Sequence, residues 1–70
     1  MEDIRPKVNY KPLWKLMIDR EISKSELRSK TKIAPSTFSK MSNNENVSLD
    51  VLVRICKALD CGLDDIVEIE

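Results

Sequence analysis

Between Pro35 and Asn44 the chain carries three serines, a threonine, a lysine and two asparagines, and no acidic residue. Hydroxyls and amides both donate and accept hydrogen bonds, and an ammonium donates in three directions. Such a set suits an oxygen-rich partner surface: lysine prefers guanine edges or phosphate, and serine and threonine adapt to either. An ordinary solvated helix would mix glutamate into the same face. Phe38 and Met41, three residues apart, mark the inward side of a helix. Ser36, Thr37, Ser39 and Lys40 are left outside.

That face needs a rigid support, and the preceding residues supply one. Ser23 and Glu26 have the S-x-x-E spacing of a capping box, in which the serine oxygen takes one free backbone N–H and the glutamate reaches back to another. Ile22 and Leu27 suit a hydrophobic staple. These signals predict a helix over 24–31 with Leu27 and Thr31 inward. Ile33 fills the angle of a tight turn. Pro35 suits the first position of a further helix over 35–42, where its missing N–H costs nothing. Two short helices joined by a turn too tight for antiparallel packing form the arrangement in which a helix-turn-helix presents one helix to the DNA major groove.

The remaining elements read as scaffold. Pro12 opens a helix over 12–21, with Leu13, Leu16, Met17 and Arg20 on one face and Trp14 and Ile18 widening it. Ser48 caps a helix over 49–59 that is apolar around more than half its circumference, so it is central to a core or shared with a partner. Asp60 is a plausible stop, because Asp tolerates the left-handed conformation. A last short helix is expected over 63–67, with Asp64 and Asp65 in its first turn and Leu63, Ile66 and Val67 closing the bundle. Val47 dips inward from the loop over 43–47. Val67-Glu68-Ile69-Glu70 alternates apolar and acidic, and can pair with Lys7-Val8-Asn9-Tyr10 so that lysine meets glutamate. The organisation is an extended N-terminal arm over 1–11, a domain over 12–67 with its helix-turn-helix at about 24–42, and a C-terminal tail over 68–70.

Seventy residues bury only a modest core. No apolar run approaches the ~20 residues of a membrane helix, so a cytoplasmic protein without a membrane partner is expected. Lys+Arg and Asp+Glu number 12 each. Residues 1–40 hold ten basic and five acidic side chains, and residues 41–70 hold two and seven. A domain with one basic side can neutralise phosphates despite zero total charge. Cys56 and Cys61 would point about 140° apart if one helix carried both. They make a poor metal pair, and a reducing cytosol disfavours a disulfide, so both read as small buried hydrophobes. There is no histidine, no nucleophile–base pair and no room for an ordinary substrate pocket, so neither enzymatic activity nor a cofactor or small-molecule ligand is expected.

The order of elements resembles the Cro and phage-repressor-type helix-turn-helix family (the Xre family) over about residues 12–67. The landmarks are Ile22-Ser23-Lys24, Glu26-Leu27, Ile33, Ser36, Phe38, Asn43, and Ala58-Leu59 followed by Leu63-Asp64-Asp65-Ile66. Leu13-Trp14-Lys15-Leu16, Asn46-Val47-Ser48-Leu49 and Leu59-Asp60-Cys61 are similar to small stand-alone members. The resemblance implies an all-α fold, a compact five-helix bundle of the lambda-repressor-like DNA-binding type, to which a short terminal β-pairing can be added. It implies that Lys24 bonds a phosphate, that Ser36, Ser39 and Lys40 read base edges, that Thr37 touches a thymine methyl or a phosphate, and that Asn43 and Asn44 contact the DNA backbone again.

Three positions depart from the family pattern. Arg28 stands where alanine is usual, at the approach of the two motif helices. Lys32 stands where the turn usually has a left-handed glycine; a lysine there costs ~1 kcal/mol, so an altered turn is expected. Pro35 and Ser36 replace long glutamines, which shifts specificity toward Lys40 and DNA shape. The function expected is a sequence-specific DNA-binding transcriptional regulator, a repressor. It would act as a homodimer on double-stranded DNA, inserting helix 35–42 into the major groove. The alternative is a protein-interaction or antitoxin-like module on the same fold, which the acidic C-terminal half favours.

Overall fold

The computed structural model describes residues 7–70; the first six residues of the expected arm lie outside the described residues. Strand β1 (Val8–Asn9) leads into helices α1 (Lys11–Asp19), α2 (Lys24–Thr31), α3 (Pro35–Ser42) and α4 (Leu49–Leu59). A 3₁₀ turn (Leu63–Asp65) and strand β2 (Glu68–Ile69) follow. Helices α2, α3 and α4 keep their expected bounds. Helix α1 starts one residue earlier and stops two residues earlier than expected.

The early stop has a backbone cause. Glu21 is left-handed at φ 53°. Its N–H donates to the Ile18 carbonyl at 3.1 Å and the Ile22 N–H to the Met17 carbonyl at 2.9 Å, the paired bonds of a Schellman stop. Asn44, at φ 57°, ends α3 the same way, through Asn44 to Met41 at 3.0 Å and Glu45 to Lys40 at 2.9 Å. Lys32 and Asp60 end α2 and α4, at φ 56° and 51°. None of the four is glycine, while Gly62 sits at φ −94°. Asn and Asp tolerate this conformation through their short polar side chains; Glu21 and Lys32 carry its steric cost. The altered turn expected at Lys32 is therefore not what forms. The turn keeps its left-handed residue, with the Lys32 N–H on the Arg28 carbonyl at 2.7 Å.

Buried apolar residues from every helix meet in one core: Leu13 and Met17 from α1, Leu27 from α2, Phe38 and Met41 from α3, and Ile55 and Leu59 from α4. Tyr10, Ile33 and Ile66 complete it. Ile18 does not widen the inner face of α1: it is 75% exposed, because Leu13 and Met17 at i, i+4 already define the buried stripe and Ile18 lies a further 100° round. Arg20 is also exposed, and its guanidinium donates to the Leu59 carbonyl at the end of α4. Arg54 donates to the Thr31 carbonyl at the end of α2, at 3.4 Å. Each arginine satisfies a carbonyl that its helix leaves without a partner.

The fifth helix expected over 63–67 is a three-residue 3₁₀ turn, so the fold has four α-helices and a small sheet rather than five helices. The Ile66 and Val67 N–H groups both close on the Leu63 carbonyl, at 3.1 and 3.0 Å. The chain then has to straighten so that β2 can pair antiparallel with β1, Val8 opposite Ile69 and Asn9 opposite Glu68. Another helical turn would carry both residues away from β1. Lys7 lies 3.5 Å from the Glu70 carboxylate, the lysine–glutamate meeting anticipated from the alternation. Buried Asn9 donates to the same carboxylate at 2.7 Å. The Asn9 bond, then Lys7, holds the Glu70 carboxyl below its ordinary value.

Cys56 and Cys61 pack against the core as small side chains but are less buried than expected. Both are half-buried free thiols. The helix stops before Cys61, as the stop expected at Asp60 requires, so no single helix carries both thiols; the Cys61 N–H donates to the Cys56 carbonyl at 3.0 Å. Burial pushes both thiols up first; their interaction with each other then lowers Cys56 and raises Cys61, and the nearby Asp65 raises both.

Tyr10 is 1% exposed and its hydroxyl donates to the Glu45 carbonyl at 2.7 Å, tying the start of α1 to the loop after α3. Burial raises its ionisation above 10.0, and a backbone bond at Val47 partly opposes this. The folded state thus holds that proton more tightly than the unfolded chain. The associated stability is complete below the unfolded value and is lost as pH rises through the folded one. Tyr10→Phe is expected to cost about 1–2 kcal/mol at neutral pH and to remove this part of the alkaline decline, read from denaturant midpoints across pH. Lys32→Gly is expected to gain up to ~1 kcal/mol by relieving the left-handed side chain. In a domain this small that is a melting-temperature rise of roughly 4–8 °C, measurable by circular dichroism.

Candidate nucleic-acid interface

Ser23 sets the start of α2: its Oγ accepts from the Glu26 N–H at 3.1 Å. Only this half of the expected capping box forms. Glu26 is exposed in the first turn, where its charge favours the helix dipole. Ile22 packs against the core and Leu27 lies within it, as a staple requires. Thr31 is buried because its hydroxyl donates to the Leu27 carbonyl at 2.7 Å. After the turn at Lys32, Ile33 is buried and Ala34 turns extended, which lets Pro35 enter as the first residue of α3.

With Phe38 and Met41 committed to the core, Ser36, Ser39, Lys40 and Asn43 form an exposed ridge at i, i+3, i+4 and i+7 spacing. Ser39 turns back along its own helix, donating its hydroxyl to the Pro35 carbonyl at 3.3 Å; what it offers outward is an acceptor. Asn43 and Asn44 are exposed at the end of α3. Thr37 is half-buried beside the ridge and, with Lys40, lines a shallow cleft of about 230 Å³ against the α3–α4 connection. Asn46 and Ser48 share that cleft. By sequence Asn46 belongs to a loop and Ser48 caps a helix, and Ser48 does accept from the Val51 N–H at 3.3 Å. The signal that both border the site was the shortness of the connection, which forces the start of α4 back beside α3.

Lys24 is exposed at the first position of α2. Lys24 and Ser42, at the end of α3, line a second groove of about 380 Å³. Two grooves thus border α3: one brings Lys24 beside Ser42 at its end, and the other brings Thr37 and Lys40 beside the start of α4. Among the described residues, neither Lys24 nor Lys40 has a carboxylate within ion-pair distance; the pairs formed are Lys7–Glu70 and Asp50–Arg54. Arg28, in place of the small residue usual there, is half-buried. Among the described residues, no group of three or more His, Cys, Asp or Glu side chains is placed to hold a metal, and no helix is long and apolar enough to cross a membrane.

A capped helix, a left-handed turn and a second helix whose outer ridge is polar and free of acid define a helix-turn-helix module. A family model for the Cro/C1-type HTH DNA-binding domain matches residues 12–70. The chain belongs to that family. It is also similar to a crystal structure of the transcriptional regulator VanUg, with 45% identity and a TM-score of 0.90, over 100% of this chain and 97% of that one. No curated protein matches it.

Proposed function

We propose that the protein is a transcriptional repressor that binds specific DNA by inserting α3 into the major groove. The observation that carries this reading is the ridge of Ser36, Ser39, Lys40 and Asn43, which contains no acidic side chain and is flanked by Lys24 without an ion-pair partner among the described residues. Lys40, the longest donor on the ridge, reaches furthest toward guanine edges. Lys24, Asn43 and Asn44 hold the register through phosphates, which position the protein without reading sequence. The similarity to a transcriptional regulator over the whole chain supports the same assignment. Repression follows from occupying promoter DNA.

The binding unit is a homodimer. Helix α4 leaves Leu49 and Val53 62% and 39% exposed, and Leu63 just beyond it is 41% exposed. These apolar side chains lie on the part of the chain that holds seven of the 12 acidic residues. Pairing two copies there would cover the stripe and leave both α3 helices free, with half-sites roughly one turn (~34 Å) apart.

Capture of sheared genomic DNA from the source organism by tagged protein at low salt, followed by sequencing, tests the reading. A few enriched inverted repeats are expected, lost in Lys40→Glu while helicity is unchanged. Enrichment equal in the variant would overturn the role of Lys40, and no enrichment at all would favour a protein partner for the fold. Val53→Asp is expected to shift the protein to a monomer in analytical ultracentrifugation and to weaken binding to the recovered repeat at least tenfold, since each half-site then binds alone. An unchanged sedimentation profile would place the dimer surface elsewhere.

A further inference from the structure

Lys24 makes a contact that neither the cap of α2 nor the core requires. Its Nζ lies 4.6 Å from the centroid of the Trp14 ring, well inside the ~6 Å within which a cation is drawn to an aromatic face. Trp14 is half-buried on α1, packed against the core from its edge. The two helices are joined by the tight stop at Glu21 and Ile22, whose backbone bonds fix the end of α1 against the start of α2. Met17, Ile18, Ile22 and Ser42 complete the groove around the pair.

The contact has a consequence for binding. A lysine on an open surface samples many rotamers, and ordering it when a partner arrives weakens the association. An indole face that already holds the side chain removes part of that cost beforehand. The ring covers one side of the ammonium and leaves N–H donors on the other side free to address an oxygen. Ser42, at the end of α3, borders the same groove.

We propose that Trp14 is a positioning residue for DNA binding, its indole face presenting the Lys24 ammonium to a backbone phosphate. This rests on the reading of Lys24 as a phosphate contact. A purely structural Trp14 would instead fill the edge of the core and affect DNA binding only through overall stability.

A double-mutant cycle separates these roles. The full chain, Lys24→Gln, Trp14→Leu and the double variant are titrated against a labelled random-sequence duplex over a range of salt concentrations, with melting curves run in parallel. Lys24→Gln is expected to lower the slope of log K against log salt by about one. Trp14→Leu is expected to weaken binding about two- to fivefold and to have no further effect in the Lys24→Gln background. Trp14→Phe, which keeps a weaker ring face, should fall between; it replaces Trp14→Leu in the cycle if the leucine variant does not fold. Equal losses in both backgrounds would overturn the proposal alone. An unchanged salt slope in Lys24→Gln would remove the phosphate contact itself, and the proposal with it. Without DNA, the Lys24 side-chain methylene protons of the unaltered protein should show ring-current shifts in NMR that vanish in Trp14→Leu; shifts absent from the unaltered protein would also overturn it.

Discussion

The angle between α2 and α3 rests on one left-handed residue above one buried isoleucine. Lys32 reverses the backbone, its N–H closes on the Arg28 carbonyl, and Ile33 goes into the core directly after it. With Leu27 inward on one side of this corner and Phe38 and Met41 on the other, α3 has a single way to lie, and its remaining faces turn out to solvent. The polar ridge is thus a by-product of apolar burial. The corner could move only by exposing Ile33 or by losing the Arg54 bond to the carbonyl of Thr31. Glycine, the residue that occupies such a corner without strain, is not used here. The steric cost at Lys32 is borne by a core that reaches every helix.

The cations divide by task. Arg20 and Arg54 close helix ends on α4 and α2, and Lys7 holds the terminal strands together with Glu70. Lys24 and Lys40 do neither, and they flank the one side of the molecule whose helix lacks acid. A net charge of zero therefore says little about this protein's electrostatics. What matters for phosphate attraction is where charge stands uncompensated, because screening confines exposed charges to about a Debye length.

Much of this arrangement is legible in the sequence. The bounds of α2, α3 and α4 followed from Ser23, Pro35, Ser48 and Asp60, because caps and breakers act within one turn of the backbone. The terminal pairing followed from a four-residue alternation. Two elements differ from the sequence expectation, one for a local reason and one for a distant one. The end of α1 was set by a left-handed Glu21 that nothing local marks. The last helix shortened because β2 had a partner about sixty residues away.

The sequence by itself determined the four α-helices, the inward and outward faces of α2 and α3, and the absence of acid from the second of them. These depend on periodicity and capping, which are properties of neighbouring residues. Tertiary structure alone decided which cations are occupied and which are free, that Lys24 lies over Trp14, that Asn46 and Ser48 border the α3 ridge, and that Leu49, Val53 and Leu63 stay uncovered. Each of these is set by where one helix ends against another, and helix–helix placement is a sum over packed side chains that no short stretch of sequence contains.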